Sequence, residues 1–209
     1  MKAFRLVFFL STLFLFSFIS NGIMAQSSMD PDSVCAGETV YYQINGNSTS
    51  NYTWEILGST GGSIVSGAGN DSIMVSWPTA GIDSIQVIET NEFGCSGDPY
   101  VLHVIILDLP TATISGIDTV CNGYSSDQIE IELTGTSPWD IIISDQTVND
   151  TITINSSPWN YTTPNLTIPP SVTYTIVNVT DANGCNNTGL GSAQIVVSPV
   201  LPSLIIFHD

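Results

Sequence analysis

The sequence contains four cysteines, which can form disulfides or bind metal ions. No two of them have the C-x-x-C spacing that is typical of zinc or dithiol redox sites. In a chain that leaves the cytoplasm, cysteines spaced in this way predict disulfides, and four cysteines permit three connectivities. The four are Cys35, Cys95, Cys121 and Cys185.

Aromatic side chains are the second group that could bind a ligand, since they can stack on sugar rings. Trp159 and Tyr161 lie in the turn-rich segment Pro158-Trp159-Asn160-Tyr161 and are predicted to be the exposed pair. The alternative, that they fill a small core, stays open. Trp54 has a strand-like apolar context, which favours packing in a core against a disulfide.

Catalytic and metal-binding patterns are weak. The histidines available as bases are His103, inside a predicted strand, and His208, one residue from the end of the sequence. There is no G-x-S-x-G motif and no D-x-[DN]-x-[DN]-G loop. Asp181-Ala182-Asn183-Gly184 is typical of a β-turn rather than of a calcium site. The sequence therefore predicts no catalytic residue, no metal ligand and no cofactor.

The first 25 residues have the three parts of a secretory signal peptide. Lys2 and Arg5 precede the apolar run from Leu6 to Ile19, and Ala25 stands where a signal peptidase would cut. A transmembrane anchor is the competing interpretation, but the run is shorter than the ~20 residues of a span. We expect cleavage, a secreted, periplasmic or cell-surface location, and no membrane span in the mature chain.

The charge of the chain excludes several partners. Lys2 and Arg5 are its only basic residues besides histidine, and 19 Asp and Glu follow the signal peptide, so the mature formal charge is −19 against −17 for the precursor. Such a chain cannot neutralise phosphates, which argues against nucleic acid. Anionic membrane surfaces would repel it. The charge also keeps an exported protein soluble.

The sequence contains two similar units. Ser33-Val34-Cys35-Ala36-Gly37 is echoed by Thr119-Val120-Cys121-Asn122-Gly123, and residues 89–95, which end in Gly94-Cys95, are echoed by residues 180–185, which end in Gly184-Cys185. The cysteines of a unit are 60 residues apart in the first (35 to 95) and 64 in the second (121 to 185). Self-similarity of this kind indicates a structural repeat.

Short strand-like runs separated by turn residues predict an all-β fold, with two tandem antiparallel β-sandwiches. Alternation is visible in residues 84–88 and 129–133, which buries one face of a strand and exposes the other. The predicted divisions are a signal peptide over 1–25, sandwiches over 29–108 and 109–199, and an apolar tail over 200–209. The predicted strands are 40–44, 52–57, 73–77, 84–89 and 100–106, then 129–133, 139–144, 151–154, 174–179 and 193–197.

Particular segments resemble a known family. The first unit resembles the PKD-like domains of secreted Bacteroidetes proteins, and the second is similar to the Ig-like repeats of the same proteins. In the first unit the likeness is carried by Tyr52-Thr53-Trp54-Glu55-Ile56, by 72–77 and by the closing segment 80–96; in the second it is carried by 110–116, 135–139 and 179–185. The resemblance implies Ig/PKD-like sandwiches and says little about function, since such modules serve many roles.

Pairing of the cysteines within each unit is the expectation that follows from the repeat and from an Ig-type sandwich, where an opening and a late strand lie close together. It gives Cys35–Cys95 and Cys121–Cys185, each requiring Cα atoms within about 7 Å. Closing loops of this size would stabilise each unit by roughly 4 kcal/mol.

The function predicted from the sequence is a non-catalytic structural or protein-interaction module outside the cytoplasm, with an envelope or surface protein as partner. The alternative is a carbohydrate-binding accessory protein that uses exposed aromatic residues, with Trp159 and Tyr161 as the candidates and a glycan as the ligand.

Overall fold

The computed structural model describes residues 31–167 and 171–201. The predicted signal peptide and residues 202–209 of the predicted tail lie outside the described residues. Strands connected by turns make up the described chain, and the prediction of an all-β Ig/PKD-like fold is confirmed.

The first unit consists of seven strands in two sheets. One sheet has the order β1-β7-β6-β3 and the other has the order β2-β5-β4. Most pairs are antiparallel, but β1 runs parallel to β7, with Cys35 opposite Leu107. The strands are β1 Asp32–Cys35, β2 Glu38–Gln43, β3 Asn51–Ile56, β4 Ser63–Ser66, β5 Ser72–Trp77, β6 Gly81–Thr90 and β7 Tyr100–Leu107.

The second unit also has two sheets, of the order β12-β11-β14-β17-β9 and β13-β10-β8-β16, with β15 paired to β14. Its opening segment is divided between them, because β8 pairs with β10 whereas β9 runs parallel to β17. The strands are β8 Ala112–Ser115, β9 Ile117–Cys121, β10 Ile129–Leu133, β11 Trp139–Ser144, β12 Asn149–Ile154, β13 Trp159–Tyr161, β14 Ser171–Thr180, β15 Asn186–Asn187, β16 Leu190–Gly191 and β17 Ala193–Ser198.

Each unit has its own core between its sheets. In the first, Trp77 is fully buried and packs among side chains of β1, β5, β6 and β7. In the second, the core draws on both sheets and includes Trp139 and Ile141. The alternation read from the sequence is confirmed, since Ile129, Ile131 and Leu133 are buried while the glutamates between them are exposed. Apolar burial of this kind is the main stabilising contribution to folding.

Four residues, 108–111, connect β7 to β8 and therefore span at most about 14 Å. They are attached to the second unit. Asn187 Nδ2 donates to the carbonyl oxygen of Pro110 at 3.1 Å, and the N–H of Thr111 donates to Thr134 Oγ1 at 3.0 Å. The sheets thus form two groups joined by a short connector, while the predicted boundaries of 29–108 and 109–199 stay a prediction.

Candidate functional site

A disulfide joins the two units. Cys35 of β1 is bonded to Cys185, which follows β14, with an S–S distance of 2.00 Å and a Cα–Cα distance of 5.6 Å. The bonded residues are 150 positions apart in the sequence. Cys185 is fully buried and Cys35 is nearly so. The predicted pairs Cys35–Cys95 and Cys121–Cys185 are therefore wrong, and Cys95 and Cys121 are free and exposed.

The topology of each sandwich explains the correction. In the first unit, Cys35 is opposite Leu107, where β7 ends and the connector begins. Cys95 follows β6, whose Thr90 end lies far from that point because Gly81, at the other end of β6, pairs with Ile106. At ~3.3 Å per residue, the ten residues of β6 put about 30 Å between the two ends. A disulfide within the unit cannot span that length.

In the second unit the cysteines are also at opposite ends. Cys121 is opposite Ser198, at the end of β17, whereas Cys185 lies beyond Thr180, at the far end of β14. That far end faces the connector, as the contact between Asn187 and Pro110 shows. The end of one unit that carries Cys35 therefore meets the end of the next that carries Cys185.

The closing turns, residues 91–95 and 181–185, have the same internal geometry. In the second unit, Asp181 Oδ1 accepts from the N–H groups of Asn183 at 3.0 Å and Cys185 at 3.1 Å. In the first, Asn91 Oδ1 accepts from Phe93 at 3.0 Å and Cys95 at 2.9 Å. The side chain of Asp181 thus stabilises a turn, as the sequence predicted.

The segments after the opening cysteines also match. The N–H of Ala36 donates to Leu107 at 2.9 Å, and that of Asn122 donates to Ser198 at 2.8 Å. The glycines that follow, Gly37 and Gly123, have φ of 88° and 91°, and each donates its N–H over 2.7 Å to a carbonyl oxygen of its own unit. The two units therefore present cysteines with equivalent backbone hydrogen bonds, and one cysteine from each unit is bonded.

The prediction that Trp159 and Tyr161 form an exposed pair is wrong. Tyr161 is only 8% exposed, and its ring contacts that of Tyr174 edge-on at 5.7 Å between centroids. Trp159 is half-buried and packs against the same core. Both lie in β13, where they pair with Ile131 and Ile129 of β10. The aromatic-Asn-aromatic alternation of residues 159–161 is the signal of a strand that sequence reasoning missed.

The other tryptophans belong to the cores, as the alternative interpretation held. Trp77 donates from Nε1 to the hydroxyl of Tyr42 at 3.1 Å, and Trp139 donates to the carbonyl oxygen of Thr134 at 2.9 Å. Trp54 packs against the first core and donates to the carbonyl oxygen of Asn70 at 2.8 Å. Since Cys35 is not bonded to Cys95, the first unit has no internal disulfide for Trp54 to cover.

The groups with a raised pKa among the described residues are tyrosines in or against the two cores. Burial, followed by the charge of Asp32, raises the pKa of Tyr42 well above its usual range. Burial also raises the pKa of Tyr174 to about 12, and the hydroxyl of that residue has no hydrogen-bond partner among the described residues. Ser84 Oγ and His103 Nδ1 are 2.9 Å apart, but they are a cross-strand pair on an exposed face, while neighbouring Asp83 is buried and accepts from Thr60.

Within 31–167 and 171–201, no group of three or more His, Cys, Asp or Glu side chains is arranged to hold a metal ion. The same residues contain no helix with the length and hydrophobicity of a membrane span.

Comparisons with known proteins agree with the resemblance read from the sequence. Residues 23–104 match the family model of the PKD-like domain. The likeness of the first unit to PKD-like domains is thereby confirmed. No curated protein matches the chain.

Several solved structures of tandem modules are similar to the chain. The titin I-band fragment I67–I69 has a TM-score of 0.44 at 12% identity, with 81% of this chain and 63% of that chain covered. The fibronectin(III)-like modules of Clostridium thermocellum CbhA have a TM-score of 0.39 at 11% identity, with 86% of this chain and 95% of that chain covered. A third similar structure is SGBP-B of the Bacteroides ovatus mixed-linkage glucan utilization locus, in complex with a mixed-linkage heptasaccharide. Its TM-score is 0.30 at 15% identity, with 84% of this chain and 46% of that chain covered. The chain thus spans less than two thirds of the titin fragment.

Proposed function

We propose that this chain is a non-catalytic structural spacer outside the cytoplasm, in which two Ig/PKD-like units are held at a fixed relative orientation to connect or present envelope or surface proteins. The observation that carries the proposal is the position of the Cys35–Cys185 bond, which joins the units instead of closing either of them. Such a module would reach its location by means of the predicted signal peptide.

The bond supports a spacer because it supplies a second connection between the units. The connector of four residues alone would allow the units to rotate and bend about one point, which is the usual behaviour of linked domains. A covalent bond between Cys35 and Cys185 adds a second fixed point beside the first. Two connections remove most of the hinge motion that one permits.

The surface chemistry agrees with a structural role. The described residues contain neither Lys nor Arg, so interactions with nucleic acid are disfavoured and the charge keeps the molecule soluble. A buried disulfide that joins residues 150 positions apart also favours an oxidising compartment.

Small-angle X-ray scattering on the monomer tests the spacer. Replacing both bonded cysteines, C35S/C185S, should broaden the distribution of interatomic distances, because the units then move about the connector and take up a range of relative orientations. The matched control is C95S/C121S, which also removes two thiols but leaves the bond intact, and its scattering should superimpose on that of the unaltered chain. Superposition of the C35S/C185S curve on both others would refute the proposed rigid junction.

A further inference from the structure

The free cysteines lie at the two outer ends of the tandem. Cys95 lies at the end of the first unit that points away from the connector, and Cys121 lies at the corresponding end of the second. Both strands of about ten residues that separate these ends from the junction, β6 and β14, are roughly 30 Å long. The two thiols are therefore too far apart to form a bond within one chain.

The bonded pair shows what these two positions can do. Cys95 occupies in its closing turn the place that Cys185 occupies in the other, with the same set of hydrogen bonds. Cys121 occupies after β9 the place that Cys35 occupies after β1. The structure already contains a bond between a cysteine of the opening-strand type and one of the closing-turn type. Cys121 is of the opening-strand type and Cys95 is of the closing-turn type, and the two lie unbonded at opposite ends of the tandem.

Exposed aromatic side chains accompany both free thiols. Phe93, two residues before Cys95, is 82% exposed, and Tyr124, three residues after Cys121, is 66% exposed. At the bonded junction the corresponding positions hold the polar residues Asn183 and Glu38. Glu38 accepts a hydrogen bond from the backbone N–H of Cys35 at 3.2 Å, so its side chain lies next to the bonded residue. Aromatic residues are enriched at the contact surfaces between proteins.

We propose that a second copy of this chain binds at each outer end, and that Cys121 of one copy forms a disulfide with Cys95 of the next, with Phe93 and Tyr124 buried in the contact. The inference goes beyond the spacer function and does not require it. Contacts between two different patches are heterologous, and they produce a filament, or a ring where the geometry closes. Every junction along the assembly would then carry one disulfide of the kind seen between Cys35 and Cys185.

The bond forms by oxidation of two thiols. Each of Cys121 and Cys95 gives up its S–H bond, and an S–S bond forms between them. Two protons and two electrons pass to a disulfide oxidant, either a small-molecule disulfide or a thiol–disulfide oxidoreductase, which is reduced to two thiols. Because both copies are acidic and their described residues contain no Lys or Arg, we expect the reaction to be faster at higher salt, where the repulsion is screened.

Non-reducing electrophoresis of the mature protein after incubation with glutathione disulfide tests the proposal. The unaltered chain should give a ladder of covalent multimers that collapses to monomer on reduction. C95S alone and C121S alone should remain largely monomeric, and an equal mixture of the two should give dimer, because only the mixture supplies one thiol of each type in a productive pair. Digestion of that dimer with pepsin should yield a peptide in which Cys121 is bonded to Cys95.

Two results would overturn the proposal. One is an unaltered chain that stays monomeric with both thiols free. The other is formation of as much dimer by each single variant alone as by the mixture, which would mean that exposed thiols pair without docking. Both thiols are exposed, so the serine variants should fold normally, as circular dichroism can verify.

The aromatic residues provide a second readout. Phe93→Ser and Tyr124→Ser should each slow formation of the ladder, because less apolar surface is buried on docking. Tyr41→Ser is the matched control, since Tyr41 is an exposed aromatic residue in β2 rather than next to either free thiol. Equal rates for all three variants and the unaltered chain would contradict docking through these residues.

Discussion

The two units share one plan but differ in their cores. The core of the first contains seven buried residues, with as many partly buried ones packed against it, whereas that of the second contains eighteen buried residues. Because stability follows the apolar surface that is buried, we expect the first unit to be the less stable. The junction disulfide therefore matters most for the unit with the smaller core.

The disulfide can stabilise both units although it lies inside neither. If the first unit unfolds while the second stays folded, Cys35 and the connector remain attached to the second unit and the unfolded segment is a closed loop of about 70 residues. The reverse case closes a loop of similar length. On the chain-entropy model, each loop corresponds to roughly 4 kcal/mol of stabilisation.

The largest predicted effect concerns this bond. C35S/C185S should lower the free energy of unfolding of the first unit, which unfolds at the lower urea concentration, by roughly 4 kcal/mol. The second transition should change by less than about 1 kcal/mol, because by then the bond only enlarges an already closed loop from about 70 to about 150 residues. Tryptophan fluorescence and circular dichroism in a urea titration can follow the two steps. C95S/C121S should change neither midpoint appreciably. An unchanged first transition in C35S/C185S, or a second transition lowered as much as the first, would contradict this account of the bond.

The next effect separates the two cores. Ile73→Ala in the first unit and Ile141→Ala in the second remove the same atoms from fully buried sites, and each should cost about 3 kcal/mol. The first variant should shift only the earlier urea transition and the second only the later one. If either variant shifted both transitions equally, the cores would not be independent, and the comparison between them would fail.

The smallest effect concerns the buried hydroxyl of Tyr174. Removing it by Tyr174→Phe should raise the stability of the second unit by about 1 kcal/mol, since no described residue forms a hydrogen bond with the group. Tyr41→Phe, at an exposed position, should change nothing measurable.

The pH dependence has a defined sign. Burial raises the pKa of Tyr174 to about 12 from an ordinary value of 10.0, so the folded state favours the neutral phenol. The resulting stability is fully present below pH 10 and falls as pH rises toward 12, because the unfolded chain releases its proton first. Thermal denaturation of the unaltered chain should show this loss for the second unit, and Tyr174→Phe should reduce it. An unchanged alkaline profile in that variant would assign the loss to other tyrosines.

Local patterns were enough to predict the longer strands but not the shorter ones. Residues 129–133 and 139–144 were predicted with the bounds that the structure shows, because alternating or continuous apolar residues determine both. β1 and β4 have four residues each and were missed. β13 was mistaken for an exposed turn, because Pro158 and Asn160 outweighed the two-residue spacing of its aromatic side chains.

The cysteine pairing could not be obtained from the repeat alone. Similar spacing shows that Cys35 and Cys121 are equivalent, and that Cys95 and Cys185 are, but it does not show at which end of its sandwich each one lies. That depends on the parallel pairing of β1 with β7 and of β9 with β17, a property of the tertiary fold. The two cysteines of each unit lie at its opposite ends, so they can bond only across a junction between units.

Peptide mapping of the non-reduced monomer tests the central claim most directly. Pepsin is suitable, since residues 26–209 contain no Lys or Arg that trypsin could cleave. After free thiols are alkylated without reduction, mass spectrometry should find one peptide pair that joins Cys35 to Cys185, with Cys95 and Cys121 alkylated. A peptide pair that joins Cys35 to Cys95 would contradict the junction and everything inferred from it.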